Sequence, residues 1–508
     1  MYYAMMINEK DNVAMATTNV PAGEKVLVTL TGQEVVAVED IKAGHKMALC
    51  DLKKGDFVIK YGIPIGNMKA DCPVGGMVHV HNLEDTTEEL CTGYVKKYRE
   101  SGRTMKVYPR ANGDFGIRNY IMVFATTRDA NALAEAISDT TGCNWMVCNK
   151  EELRDGEITD FTVKAMGYTG RNPNVYAALV VGDAEPSAKS AEVKSLIEET
   201  GKPVAYLGSS MDNLEEGCNI VKAWQKDAAA QERVDTPLDG FKIAVHCAAS
   251  DWTTALTGNP AVGLAADHIV KNGGMVIMDE WAGFPGSEHL MAQKAVTRKL
   301  GLEIIDKVDE FRARYLEETG KPVEATNPFP SNIEGGITTL VEKSTGNIKK
   351  AGNTGIQGII RFCEQPERPG VWLQDQPCGG PSSTAIYGSL SGVHLNILIT
   401  GMGYVYHEIP NMPTVRLTGN PETFKVETHK LDFDAGQALL GKTLQEVGDE
   451  LFEYLIAVAE GREEPKCEEG KIKYFMFYYY YPRTAKKDPA NRTWDYHEKM
   501  KAILESIK

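Results

Sequence analysis

From Asn119 onward one pattern repeats and leaves the chain little freedom: apolar, β-prone runs alternate with segments whose apolar residues recur at helical spacing. YIMVFATT (120–127) precedes NALAEAISDTT (131–141), AALVVGDA (177–184) precedes SAEVKSLIEET (190–200), and PVAYLGS (203–209) precedes MDNLEEGCNIVKAWQ (211–225). Strands apolar on both faces must be covered on both faces, and strands separated by amphipathic helices form βαβ units around a parallel sheet. A Pro- and Asp-bearing stretch, Val234 to Gly240, ends this series, and FKIAVHC (241–247), PAVGLAADHIVKNG (260–273) and GMVIMDE (274–280) begin a second one. Apolar runs at Gly358–Phe362, Val371–Leu373 and Leu395–Thr400 extend that second sheet, and Lys442–Ala459 has the spacing of an amphipathic helix. The first 93 residues read differently. Short β-prone runs (Lys25–Leu30, Glu34–Ala37, Phe57–Ile59, Met77–His81) are separated by Gly, Asp and Lys turns. The expected architecture is therefore multidomain α/β: a β-rich module over 1–93, a charged linker over 94–107, an α/β domain over 108–235 and a C-terminal α/β domain over 236–508. The aromatic run KIKYFMFYYYYP (471–482) predicts a buried or interface strand.

With 508 residues the chain exceeds one ordinary core, so several domains can each bury enough surface without covalent staples. Its ten cysteines show no CxxC pairs, and no basic, apolar leader opens the chain, which predicts a reducing, cytoplasmic setting. No apolar run approaches the ~20 residues a membrane-spanning helix needs. A formal net charge of -15 with dispersed basic residues disfavours nucleic acid as a partner. The same field repels a small anion, so an acid-binding pocket must gather its own cations. No stretch matches a P-loop or dinucleotide fingerprint, so no nucleotide cofactor is expected.

Nine fragments, in this order, carry a resemblance. They are DNVAMA (11–16), VEDIKAGHKMAL (38–49), DFVIKYGIPIG (56–66), VHVHN (78–82), RANGDFGIRNY (110–120), SDWTTALTGNPAVG (250–263), GSEHL (286–290), NPFPSNIEGGITTLVEKSTG (327–346) and LTGNPETF (417–424). Over essentially its whole length the chain resembles the altronate and galactarate dehydratases, whose N-terminal module is of the SAF (β-clip) type. The resemblance implies a homo-oligomeric hydro-lyase that removes water from an aldonate or aldarate to give a 2-keto-3-deoxy acid. Some relatives expel sulfite instead, and a non-catalytic binding paralogue is a third reading.

The chain departs from the family at several positions. Asp129 stands where the family has a cysteine, a Gly-Cys-Glu strand end becomes Gly182-Asp183-Ala184-Glu185, and no HGxGC-like segment is recognisable near Val147–Asp155. The ECGGSD strand end becomes HCAASD, which keeps Cys247 and Asp251 but places Ala248 and Ala249 where two glycines stood. The second Glu of the Glu-Thr-Pro-Glu turn is replaced by Gly283, with Glu280 kept. The resemblance implies a divalent metal, Fe(II) or Mn(II), for which Asp129, Cys247, His289 and Asp375 are the candidate ligands.

Dehydrating a hydroxy acid requires removal of the proton beside the carboxylate, stabilisation of the enediolate and protonation of the departing hydroxyl. His45, in a Gly-His-Lys turn, suits proton transfer, and Lys46 beside it suits carboxylate binding. His79 and His81, at i and i+2, would share one face of a strand, the spacing of a two-His metal-ligand pair or of an acid and base pair. Asp251 and Glu280 close strands of the second series, where sites of α/β sheets gather, and complete the catalytic candidates. Of His246 and Cys247 only one can face such a site. Arg118, Asn119, Lys343 and Ser344 are candidates for binding the acid, and Ser383 in CGGPSST for a hydroxyl contact.

Overall fold

The computed structural model describes residues 2–6, 8–61, 63–84, 102–148, 153–154, 157–375, 381–405, 409–469 and 474–476. The chain falls into two compact units, Met1–Tyr94 with His289–Asp306, and Val95–Glu288 with Lys307–Lys508. The segment 289–306, placed by sequence inside the C-terminal domain, therefore packs in the first unit.

The first unit is built from short strands, as its turn-rich sequence predicts. Six form one sheet in the order Glu34–Val36, Lys25–Val28, Tyr2–Met5, Val13–Ala16, Lys46–Ala48, Met77–Val78. Only Tyr2–Met5 and Lys25–Val28 run parallel within it. Phe57–Lys60, Ile63–Met68 and Leu83–Glu84 make a second, antiparallel sheet. Small β-branched and Ala side chains (Ala4, Ala14, Val26, Val28, Val35) fill one core and Val13, Val58, Met68 and Val78 another. One expectation fails here. His79 and His81 are not on a strand, because the strand stops at Val78 and His79–Asn82 turns. The Asn82 side chain causes the stop: its Oδ1 accepts the His79 N–H at 2.9 Å while its Nδ2 donates to the Met77 carbonyl.

The second unit holds two parallel sheets. Val204–Gly208, Val175–Gly182, Tyr120–Ala125, Asn144–Val147 and Tyr474–Met476 form the first, in that order and all parallel. Part of the aromatic tail thus closes the sheet edge as a strand, and the rest of that run lies outside the described residues. The second sheet has seven parallel strands in the order Ile356–Ile360, Gly370–Gln374, Met275–Met278, Lys242–Ala248, Leu395–Thr400, Thr414–Thr418, Phe433–Asp434. Helix Leu444–Ala459 starts two residues after its predicted start, at a capping box in which Thr443 and Glu446 satisfy each other's backbone N–H. Residues 104–107, expected as linker, belong to strand Thr104–Pro109, which pairs with Phe115–Gly116 and Val234–Pro237. Most of the remaining linker lies outside the described residues. Among the described residues no helix is long and apolar enough to cross a membrane.

Buried polar groups lock these layers together. His394 is wholly buried; its Nδ1 accepts the Lys242 N–H at 3.1 Å, so the proton sits on Nε2, which donates to the Phe115 carbonyl at 2.8 Å. Asn172 and Asn174 donate across to the carbonyls of Ser389, Val393 and His394. Burial holds His394 below the ordinary imidazole range, with Asp114 only partly opposing, and burial with the charge of Lys350 does the same to His246. The unfolded chain then binds protons first as the pH falls, so the stability these two groups contribute is present above ~6.5 and lost below it. Melting temperature is therefore expected to fall as the pH drops from 7 towards 5, with a smaller fall in a His394→Gln variant. An unchanged profile in that variant would show that His394 is not the group titrating.

Candidate functional site

The centre of the second unit's larger sheet supplies the site. Strand Lys242–Ala248 brings His246 and Cys247 to its carboxyl end, and the alternation of faces separates them. His246 is wholly buried, its Nε2 3.3 Å from Asn396 Nδ2. Cys247 points the other way, where its sulfur accepts the Ser250 hydroxyl at 3.2 Å. The backbone then turns through Ala249 at φ 48°, in the left-handed region. A glycine takes this conformation freely, and alanine there costs on the order of 1–2 kcal/mol. The family's glycine at this position thus has a physical reason.

Opposite Cys247 lies a second segment. Helix Leu340–Ile348 and the turn Lys349–Ala351 place Lys343, Asn347 and Lys350 at i, i+4 and i+7, one helical face. The Lys350 side chain has no exposed surface; its ammonium lies against the Glu280 carboxylate and the Cys247 thiol. Burial works to lower its pKa, but the charges of Cys247 and Glu280 outweigh that and hold it above the ordinary lysine range. Lys343 donates to Asn327 Oδ1 at 2.7 Å and Asn332 Oδ1 at 2.9 Å, and stands 5.2 Å over the Phe329 ring. Burial pushes its pKa down, with Cys247 and Glu280 opposing and Lys350 adding to the fall. Burial followed by the charge of Glu280 pushes the Cys247 thiol up.

The carboxamides fix this arrangement. Asn332 Nδ2 donates to the Ser250 carbonyl at 2.8 Å, Asn327 Nδ2 to Ala282, and Asn347 Nδ2 to Gly283. A Cβ at Gly283 would stand 2.5 Å from Asn347 Nδ2, so a glutamate there, as in the family's turn, would displace the Asn347 carboxamide. Sequence reading missed Lys350, Asn327, Asn332 and Asn347. The 343–347–350 spacing was the available signal.

The other candidates are placed as follows. Asp251 is a structural cap: its Oδ1 accepts the N–H and hydroxyl of both Thr253 and Thr254, and its Oδ2 accepts Asn420 Nδ2 at 3.0 Å. These bonds start the π-helical turn Thr254–Gly258 and occupy the carboxylate. Glu280 is engaged with Lys350. The Ser344 hydroxyl is buried and donates to the Pro285 carbonyl at 2.8 Å. Arg118 makes a two-pronged pair with Glu468 at 2.7–3.2 Å and also donates to the carbonyls of Ile117 and Val458, while Asn119 bonds Arg110, Gln231 and Ala228. Both hold the fold together at a place apart from Lys343. The side chain of Ser383 lies outside the described residues.

In the first unit the rings of His45 and His79 stack with centroids 4.7 Å apart, His45 Nδ1 3.3 Å from the Ala43 carbonyl. Desolvation, followed by the charges of His45, Lys46 and His81, holds His79 below the ordinary imidazole range. Burial and Lys60 lower Lys46. A stacked imidazole pair beside a lysine offers N–H groups that can hold an anion.

The candidate metal ligands do not assemble. Asp129 is exposed at the start of helix Ala130–Thr141, Asp375 pairs with Lys307 at 3.0 Å, and His289 is exposed in the first unit. Between Cys247 and Glu280, where a cation would be held, the Lys350 ammonium is already seated. Among the described residues no group of three or more His, Cys, Asp or Glu side chains could hold a metal ion. This donor set does not fit iron or manganese.

Comparison with known proteins covers most of the chain. Residues 2–86 match the altronate/galactarate dehydratase SAF domain, 107–229 the D-galactarate dehydratase/altronate hydrolase second domain, and 238–482 the D-galactarate/altronate dehydratase C-terminal domain. The chain is 28% identical over 477 residues to altronate dehydratase of Bacillus subtilis (strain 168), covering 90% of this chain and 95% of that one. It is 29% identical over 486 residues to altronate dehydratase of Escherichia coli (strain K12), with the same coverage. It is 30% identical over 368 residues to (2R)-sulfolactate sulfo-lyase subunit beta of Chromohalobacter salexigens, covering 71% of this chain and 94% of that one. Three domain models in family order and relatives matched over nearly their full length lead to one conclusion: the chain is an enzyme of the D-galactarate/altronate dehydratase family.

Proposed function

We propose that the enzyme removes water from a sugar acid, an aldonate or aldarate, to give a 2-keto-3-deoxy acid. The observation that supports this best is the pair of lysines, Lys343 and Lys350, gathered at the carboxyl end of a parallel sheet in a protein of net charge -15. A proton beside a carboxylate leaves readily only when the enediolate that forms is met by fixed positive charge, and charge held in a water-poor site acts more strongly than in solution. Lys350, kept charged by Glu280, is such a fixed charge, and Asn327 and Asn332 hold Lys343 in place beside it. The chemistry needs no nucleotide.

A second reading, expulsion of sulfite from a sulfolactate-type acid, is favoured by the 30% identity to the sulfo-lyase subunit. The two share the proton-removal step and differ in the leaving group. The test is incubation with a panel of aldonates, aldarates and sulfolactate, scoring 2-keto acids and sulfite. Keto-deoxy acid from a sugar acid without sulfite from sulfolactate is the expected outcome. Sulfite release alone would replace the first reading by the second, and silence across the panel would overturn both.

A further inference from the structure

We infer that Lys343 and Lys350 form a carboxylate-binding pole that works without a divalent cation: Lys343 contacts the bound acid, and the buried Lys350 ammonium supplies the charge at the Cys247–Glu280 position. The inference deepens the reading above and rests on the same site. An ammonium group has three N–H donors. On Lys343 two are used by Asn327 Oδ1 and Asn332 Oδ1, which leaves one without an acceptor among the described residues. The residue is half-buried rather than sealed from solvent. Lys350 has no exposed surface and cannot touch a ligand arriving from solvent, but it lies against Cys247, whose sulfur accepts the Ser250 hydroxyl, and the Ser250 carbonyl accepts the Asn332 amide whose oxygen holds Lys343. The ligand class is a small carboxylic acid with a second oxygen on the adjacent carbon.

Oxalate and tartronate are the probes, titrated calorimetrically into the full chain with and without EDTA. Binding is expected to survive EDTA unchanged and to weaken at least tenfold in Lys343→Met, with partial recovery in Lys343→Arg. Because a variant at this position can lose its fold, the unmodified protein is also treated with an amine-acylating reagent and its peptides weighed. Saturating oxalate is expected to protect Lys343 and to leave exposed lysines such as Lys25 unprotected. Any of four results overturns the inference: no binding of either probe, wild-type affinity in Lys343→Met, no protection of Lys343, or binding that EDTA abolishes and Mn(II) or Mg(II) restores. Protection of Lys343 in a protein that converts no sugar acid would instead overturn the dehydratase reading and leave the pole standing.

Discussion

Glu280→Gln will cost the second unit roughly 3–5 kcal/mol, the usual penalty for removing one partner of a buried ion pair, and lower its melting temperature on the order of 10 °C. The reason is the position of Lys350. Its ammonium is completely removed from solvent, and the Glu280 carboxylate is the charge that compensates it. Glutamine keeps an acceptor oxygen but no charge, so Lys350 must either remain an uncompensated buried cation or lose its proton. Both alternatives cost free energy. Replacing the pair together, Glu280→Gln with Lys350→Met, is expected to restore part of the loss, because an apolar substitute removes the stranded charge. Denaturant unfolding of the two single variants and the double variant measures this directly. A double variant as unstable as the sum of the singles would show that the two side chains are not coupled. Binding of oxalate is expected to be lost in the double variant even where the fold recovers, which separates the electrostatic role of the pair from its packing.

The parts of the fold that sequence made legible are those where local pattern and burial agree. YIMVFA is apolar on both faces, the run Leu395–Thr400 breaks that pattern only at Asn396 and Thr400, and every residue of the latter strand is buried in the centre of a parallel sheet. Such a run has few competing uses. The VHVHN segment looked equally clear and was not, because alternation alone does not register that Asn82 can take the His79 N–H and end the strand. The site divides along the same line. Lys343 was legible as a cation for binding the acid. Asp251 was legible as an acid beyond a strand, but the SDWTT sequence also spells an acid followed by two threonines that it can cap, and in the fold capping wins. Lys350 was invisible because a lysine after a helix ordinarily projects into water. Only the tertiary placement of Glu280, 70 residues away in the chain, makes a buried ammonium tenable there.

Arg118 gives the sharpest contrast between sequence and structure, and Arg118→Ala should separate them. As a substrate-binding group its loss would raise KM and leave stability alone. The structure requires the opposite. Arg118 is bound twice by Glu468, a residue 350 positions later, and also donates to the carbonyls of Ile117 and Val458. Its charge, held up by Glu468 against the burial that works to lower it, joins the start of the first parallel sheet to the chain's C-terminal region. The Tyr120 hydroxyl donates to the same carboxylate. Removing the guanidinium strands the Glu468 charge against a half-buried tyrosine. The expected cost is again about 3–5 kcal/mol, while KM for the acid turned over, or Kd for oxalate, stays within about twofold at temperatures well below the transition. Arg118→Lys is expected to fall between, because an ammonium cannot reproduce the two parallel bonds. A tenfold rise in KM with an unchanged melting temperature would return Arg118 to the substrate. A loss of stability with unchanged KM would fix it as the tie between the C-terminal segment and the sheet it borders.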